Sequence, residues 1–169
     1  MIHAILTSVL LAASASAGDF TADQLKAKFP YDLGADTIDV SQYPKEKQAE
    51  YEVFKKTCSQ CHTLARPINA PYSGAADWNR YVKRMKVRTK STARAEITPA
   101  DAKKIVDFLA YDASVRKVKG RAAFEAETAR LKALFVKAKA EAKKEGAAAD
   151  EQKVKTLPND AATGVRPQP

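Results

Sequence analysis

The chain has 169 residues, of which 45% are hydrophobic, and a formal net charge of +9 at pH 7. This length and composition predict one folded domain with an appendage, and they exclude a chain that is disordered throughout. The basic excess points to an acidic partner or an anionic surface, and the export signal described next argues against nucleic acid.

Residues 1–17 are predicted to be a secretory signal peptide. A short apolar stretch, Ala4–Ala13, precedes Ala15-Ser16-Ala17, which has the small-x-small pattern of a cleavage site. The stretch is too short to span a bilayer and no other segment is apolar enough, so we expect no transmembrane helix in the mature chain. Because Lys and Arg are missing before the stretch, an uncleaved N-terminal anchor is the alternative. We expect an exported, periplasmic protein.

The N-terminal segment, residues 18–42, is predicted to contain one short helix and then irregular chain that wraps the core. Thr21–Phe29 has helical character, with Thr21 or Asp19 as its cap, and Pro30 would end it. A longer helix is expected to begin near Pro44, because proline is favoured in a first helical turn.

Both cysteines of the chain lie in the run Cys58-Ser59-Gln60-Cys61-His62. Cys-x-x-Cys-His is the pattern of c-type haem attachment, in which the thiols form thioether links to the porphyrin and the histidine binds iron. The alternatives are a chance occurrence, a thioredoxin-like dithiol and a zinc site. A dithiol of that kind requires neighbouring strands, which the helix-like approach to Cys58 does not suggest, and zinc requires about four ligands. We therefore expect one covalently bound haem c.

Aromatic residues and a proline-rich loop flank this run. Tyr51 and Phe54 recur with Cys58 at helical spacing, which would place their rings on the face that meets the porphyrin; the alternative is that they are core residues, and in a small haem domain the two coincide. Residues 63–76 lack periodicity and are predicted to form a loop over the lower edge of the haem. A carbonyl at or near Pro67 is expected to accept the second ring N–H of His62.

The next predicted helix, with Asp77 as its cap, carries Trp78, Tyr81, Val82 and Met85 on one face. Met85 is the only methionine besides the initiator, so we expect it to be the sixth ligand of the iron, a ligation that raises the reduction potential. The alternative is lysine or water at that position, with Met85 filling the core. Trp78 is expected to pack against the haem or one of its propionates.

The same helix is strongly basic on its other faces, with no acidic residue between Asp77 and Glu96. A positive field beside Met85 would steer an acidic redox partner protein to the haem edge, and the alternative is an ordinary solvated face. The basic residues are Arg80, Lys83, Arg84, Lys86, Arg88, Lys90 and Arg94.

A further helix is predicted to start at Thr98-Pro99-Ala100-Asp101, which offers a hydroxyl cap, a proline and an acid in the right order. Its apolar residues, Ile105, Phe108 and Leu109, would pack across the helix before Cys58. This helix would complete a monohaem domain of residues 43–115.

Residues 116–146 are predicted to form a long amphipathic helix, kinked at Gly120, because the segment is rich in Ala, Lys, Glu and Arg. Its apolar stripe could fold back on the haem domain, pair with a second copy or dock on a larger complex. Residues 147–169 are predicted to be a disordered tail. The stripe consists of Phe124, Leu131, Phe135, Ala138 and Ala142.

With its Cys58–His62 run, Trp78, Met85 and the helix around Phe108, the chain resembles the small monohaem c-type cytochromes of the class I fold over residues 43–115. The resemblance implies an all-α fold of three or more helices around haem c. It also implies thioether links at Cys58 and Cys61, and iron ligation by His62 and Met85. The loop between the two ligands is shorter than in many members, and the C-terminal extension has no counterpart in them.

The expected function is one-electron transfer by an exported protein that is not itself an enzyme. The first alternative is a haem-bearing subunit that residues 116–146 hold in a larger respiratory or photosynthetic redox complex. The second alternative is a catalytic or sensing haem, which would require an open coordination position on the iron.

Overall fold

A computed structural model of the chain describes the backbone of residues 20–156 and the side chains of residues 20–149. This part of the chain is all-α, as predicted, and contains no strand. A 3₁₀ turn (Pro30–Leu33) and a π turn (Ser114–Lys119) accompany the α-helices. The α-helices are α1 (Ala22–Leu25), α2 (Lys45–Cys58), α3 (Ala65–Asn69), α4 (Ala75–Lys90), α5 (Pro99–Ala113) and α6 (Arg121–Thr156).

Helix α1 has the predicted cap but is shorter than the sequence suggested. The hydroxyl of Thr21 accepts the backbone N–H of Gln24 at 3.3 Å, and the Gln24 side chain accepts the N–H of Thr21 at 2.8 Å. The carboxylate of Asp32 accepts the backbone N–H groups of Lys28 and Phe29 at 2.9 and 3.1 Å. Those two N–H groups are thus taken by a side chain, and the helix ends at Leu25 rather than at Phe29.

The starts of the later helices follow the sequence signals with one exception. Helix α5 begins after Thr98, whose hydroxyl accepts the N–H of Asp101 at 3.0 Å, as predicted. Helix α4 begins after Gly74, so the prediction that Asp77 caps it is wrong. Asp77 lies inside the first turn instead, where a carboxylate is favoured by the helix dipole and pairs with Arg80.

The core forms where α5 packs against α2 and α4. The ring of Phe108 on α5 lies 5.0 Å from that of Tyr51 and 5.5 Å from that of Phe54, centroid to centroid. Tyr51 and Phe54 therefore belong to the core, which is one of the two placements that their spacing allowed, and neither lines the cleft described below. Removing a buried ring of this kind costs about 3–5 kcal/mol of stability, so this cluster alone makes α2 and α5 interdependent.

The predicted loop after the Cys-x-x-Cys-His run contains one helical element, α3, which anchors the N-terminal segment. Arg66 donates two hydrogen bonds to Asp32, at 2.7 and 2.8 Å. The side-chain amide of Asn69 donates to the carbonyls of Ala35 and Ala65, each at 2.8 Å. A methyl group on Gly34 would lie 2.4 Å from that amide nitrogen, so the close approach requires glycine.

Helix α6 folds back on the rest of the molecule. It packs against the π turn, the 3₁₀ turn and α1, and it buries Leu131 and Ala138 almost completely. It continues to Thr156, so the boundary predicted for the tail at residue 147 is wrong: residues 147–156 are good helix formers with nothing to stop them. The predicted signal peptide and the tail residues 157–169 lie outside the described residues. No helix within residues 20–156 combines the length and hydropathy needed to cross a bilayer.

Candidate haem site

A cleft of about 740 Å³ contains four of the five residues that the sequence singled out for cofactor binding. Cys58, Cys61, His62 and Met85 all line it. The cleft has a size common for cofactor sites, and aromatic and basic side chains supply most of the remaining wall. The other lining residues are Lys28, Phe29, Tyr31, Thr57, Arg66, Pro67, Ala70, Tyr72, Tyr81, Arg84, Arg88, Thr89 and Ile97.

The end of α2 determines where the two thiols lie. Cys58 is the last residue of the helix and packs against the core, whereas Cys61 is exposed in the turn that follows, and the two thiols are not joined as a disulfide. Burial raises the pKa of Cys58 to about 12, with a smaller contribution from Cys61. Redox-active and metal-binding cysteines need a lowered pKa, so this environment disfavours the thioredoxin-like alternative.

His62 has one ring nitrogen fixed by a backbone carbonyl. Its Nδ1 lies 2.7 Å from the oxygen of Thr63, which can only accept, so Nδ1 carries the proton and Nε2 is left to bind a metal. The acceptor thus belongs to the predicted loop, residues 63–76, but it is the carbonyl of Thr63 rather than one at or near Pro67. The adjacent carbonyl of Thr63 is closer, and Pro67 contributes its buried ring to the cleft wall.

Gln60, between the two cysteines, ties the run to the segment that follows α4. Its side-chain oxygen accepts the backbone N–H of Ala95 at 2.9 Å, and its amide donates to the carbonyl of Thr57 at 2.9 Å. Gln60, whose identity the Cys-x-x-Cys-His pattern leaves open, thus links the end of α2 to the segment after α4. The sequence pattern gave no signal for this, because the partner is 35 residues away.

Helix α4 presents one continuous stripe to the cleft. Tyr81, Arg84, Met85, Arg88 and Thr89 lie at helical spacing and all contribute to the lining. Met85 is half-buried and packs against the hydrophobic core, with its side chain in the cleft that also contains His62. The two predicted iron ligands therefore line the same cleft from different elements, Met85 from α4 and His62 from the turn after α2.

Trp78 does not line the cleft, although the sequence predicted direct contact with the haem. It is fully buried behind Tyr72 and Tyr81, with ring centroids 5.4 and 5.7 Å away and nearly perpendicular planes. Its indole Nε1 has no hydrogen-bond partner among the described residues. A buried unpaired donor costs about 1–3 kcal/mol of stability.

The electrostatics of the cleft favour an anionic ligand. Arg66 is held by Asp32, and Lys28, Arg84 and Arg88 add positive charge to the wall. Burial raises the pKa of Tyr81 to about 12, with a further contribution from Cys58, so the tyrosine remains neutral. Arginine binds carboxylates well, and a haem carries two of them. The sequence assigned Arg84 and Arg88 only to docking, and it gave no indication that Lys28 and Arg66 would join them.

The residues present fit a haem better than a bare metal ion. Within residues 20–149, no three His, Cys, Asp or Glu side chains are grouped as zinc would require. A haem would be held by Cys58 and Cys61 through thioethers and by His62 and Met85 through its iron.

Comparison of the chain with protein-family models, with curated proteins and with solved structures finds no match. Its function is therefore argued from the site.

Proposed function

We propose that the protein is an exported one-electron carrier with a single, covalently bound haem c, and not an enzyme. The observation that carries the proposal is the convergence of Cys58, Cys61, His62 and Met85 on one cleft. Such a haem would supply an iron that alternates between the ferrous and ferric states without making or breaking a substrate bond. Export to the periplasm is supported by the cleavage pattern at Ala15–Ala17.

Different elements of the chain provide the groups that would hold the haem. The end of α2 provides the two attachment thiols and the histidine, whose tautomer the Thr63 carbonyl fixes. Helix α4 provides Met85, a neutral thioether whose ligation would favour a high potential. With Met85 as a ligand, the iron would lack the open coordination position that the catalytic or sensing alternative needs.

The basic outer part of α4 supports docking of an acidic redox partner protein. Arg80 pairs with Asp77 and Lys90 with Glu96, at the two ends of the basic run. For the five basic residues between and beyond these pairs, no acidic side chain of the described residues lies within salt-bridge distance. Because two of them, Arg84 and Arg88, line the cleft, the field of this helix would steer a partner to the haem edge. These five are Lys83, Arg84, Lys86, Arg88 and Arg94.

Helix α6 bears on the alternative, a haem-bearing subunit of a larger complex. The most buried residues of its apolar stripe, Leu131 and Ala138, are already covered within the chain. Among the described residues of this extension, two large apolar side chains are left exposed: Val118 in the π turn, at 58%, and Val136 on α6, at 69%. These two valines lie on different elements and the centre of the stripe is covered, which favours the carrier.

Single substitutions of the attachment thiols test the proposal. Cys58→Ser and Cys61→Ser should each leave one vinyl group unsaturated, so the pyridine haemochrome band of each variant should shift relative to that of the parent. The double variant should lose haem under denaturing conditions, while Ser59→Ala, in the same turn, should behave as the parent does. Haem that stays covalently attached in the double variant, or a parent without haem, would exclude this function.

Partner docking has its own test in electron-transfer rates with an acidic acceptor protein. Lys83→Gln with Lys86→Gln should slow the rate at low ionic strength and have no effect at high salt, because screening removes the field. Lys137→Gln with Lys143→Gln removes the same charge from α6 and serves as the control. Equal slowing by both pairs would mean that net charge, rather than this face, governs docking.

A further inference from the structure

Lys117 is a buried cation that takes no part in the site described above. It lies in the π turn, and only 7% of its surface is exposed. Its ammonium donates hydrogen bonds to the carbonyls of Ala70 and Tyr72, at 2.6 and 3.3 Å. Both of those residues line the haem cleft. Lys117 therefore holds the back of the cleft wall from the C-terminal side of the molecule.

The π turn explains how Lys117 reaches this wall. The backbone N–H of Gly120 bonds to the carbonyl of Val115 at 3.0 Å, a five-residue spacing that widens the helix. Two consecutive basic residues then bind carbonyls of the same segment, Ile68–Tyr72. Arg116 donates to the carbonyl of Ile68 at 2.9 Å, and Lys117 donates to the carbonyls of Ala70 and Tyr72.

Aromatic rings bring the charge close to the cleft. The Nζ atom of Lys117 lies 4.8 Å from the ring centroid of Trp78 and 5.4 Å from that of Phe124. These are cation–π distances. Trp78 in turn packs against Tyr72 and Tyr81, which form the wall. Along this path Trp78 and the wall tyrosines separate the ammonium from the cleft, and the ammonium also joins α6 to that wall through Phe124.

The surroundings of Lys117 make its charge sensitive to pH. Burial lowers the pKa of Lys117 to about 7, and the positive charge of Arg116 adds to this, while Asp112 opposes it. Tyr72, in the segment that Lys117 binds, is another titratable group nearby. Three titratable residues of α6 line an adjoining cleft together with Lys117: Arg121, Glu125 and Lys132.

We propose that Lys117 is a positioning residue for the haem site, which holds the Ala70–Tyr72 wall in place and favours the ferrous state through its buried charge. The inference rests on the proposed function. Oxidation of the iron adds a positive charge, and in a low-dielectric interior a nearby cation opposes it over a longer distance than in water. The potential should therefore be higher when Lys117 is protonated and fall as it loses its proton.

Reduction potentials of the purified full-length protein, measured from pH 6 to pH 8, test this role. The parent potential should fall as the pH rises through 7. Lys117→Met should have a lower potential that no longer changes over this range. Lys117→Arg keeps a permanent charge, so its potential should stay high and lose the pH dependence. Lys119→Met, at an exposed position of the same turn, should match the parent.

Two outcomes would overturn the proposal. One is a Lys117→Arg variant whose potential keeps the parent's pH dependence, because another group would then cause that dependence. The other is a folded Lys117→Met variant whose potential equals that of the parent at each pH.

Failure of the proposed function would be seen separately, as purified protein without haem. In that case the fluorescence of Trp78, the sole tryptophan, still tests the contact. Its emission should titrate near pH 7 in the parent and not in Lys117→Met, and emission that is unchanged by the substitution would contradict the placement of Lys117.

Discussion

Met85 is the residue on which the proposed iron coordination depends most. Met85→Ala should leave the sixth position open, so the reduced protein should bind carbon monoxide and its potential should fall. The measurement is the absorption spectrum with and without carbon monoxide, together with a redox titration. Val87→Ala changes an exposed residue two positions along the same helix and should leave both readings unchanged. A Met85→Ala spectrum identical to the parent's would place the sixth ligand elsewhere.

Asp32 is the residue whose protonation should limit stability in acid. Burial alone would raise the pKa of Asp32, but the hydrogen bonds from Arg66 and from the backbone of Lys28 and Phe29 outweigh it and lower the pKa below its usual 3.8. A lowered pKa in the folded state stabilises the fold above pH 3.8. That contribution disappears as the pH falls through the lowered pKa.

Asp32→Asn should therefore destabilise the protein near neutral pH and flatten the loss of stability in acid. Because a partly buried, doubly bonded ion pair is broken, we expect a loss of about 1–3 kcal/mol. Chemical denaturation from pH 2 to pH 7 measures this, with exposed Asp36→Asn as the control. If Asp32→Asn unfolds like the parent at every pH, the Asp32–Arg66 pair does not stabilise the fold.

At the scale of single residues, the sequence predicted the members of the site but not their setting. Cys58, Cys61, His62 and Met85 were predicted from motif and elimination, because no other Cys, His or Met lies outside the predicted signal peptide. Arg66 and the acceptor for His62 could not be identified, because each depends on which backbone segment packs beside the run. Trp78 was expected at the haem, but a layer of tyrosines separates it from the cleft.

The π turn is the element that joins α5 to α6, and it depends on Gly120. A methyl group there would lie 2.9 Å from the Arg116 carbonyl, closer than backbone contacts allow. Gly120→Ala should therefore cost about 1–3 kcal/mol, as other overpacked sites do, and displace Lys117. Gly146, inside α6, has nothing within 4 Å of the same position, so Gly146→Ala should stabilise the helix by up to about 1 kcal/mol.

Thermal unfolding of both glycine variants distinguishes the two effects, because their expected shifts in melting temperature have opposite signs. A Gly120→Ala protein as stable as the parent would show that the turn can relax into a regular helix. The sequence predicted a break at Gly120. It could not predict the widened turn before it, because that turn is favoured by the contacts of Arg116 and Lys117 with a distant segment.

At the scale of the whole molecule, the position of α6 bears on whether the protein is a free carrier or a subunit of a larger complex. Leu131 is 2% exposed, so Leu131→Ala should cost about 2–5 kcal/mol if the helix packs on its own chain. Val136, on the outer side of the same helix, serves as the matched control, and Val136→Ala should change stability by less than about 0.5 kcal/mol. Chemical denaturation of both variants measures this, and equal small effects would mean that α6 is detached in solution.

The all-α class and the order of the main helices were predictable, because caps, prolines and apolar spacing are local signals. The fold-back of α6 was not, because its stripe would suit a second copy or a larger complex equally well. The 3₁₀ turn on which it packs carries no strong sequence signal, and the Asp32–Arg66 pair that fixes this turn spans 34 residues.

The intact mass and absorption spectrum of protein recovered from outside the cytoplasm of its native host test the central claim most directly. The account predicts a coloured protein whose mass exceeds that of the polypeptide by one haem. It also predicts a pyridine haemochrome with both vinyl groups saturated and a reduced spectrum typical of six-coordinate, low-spin iron. A colourless protein with the mass of the bare polypeptide would contradict it.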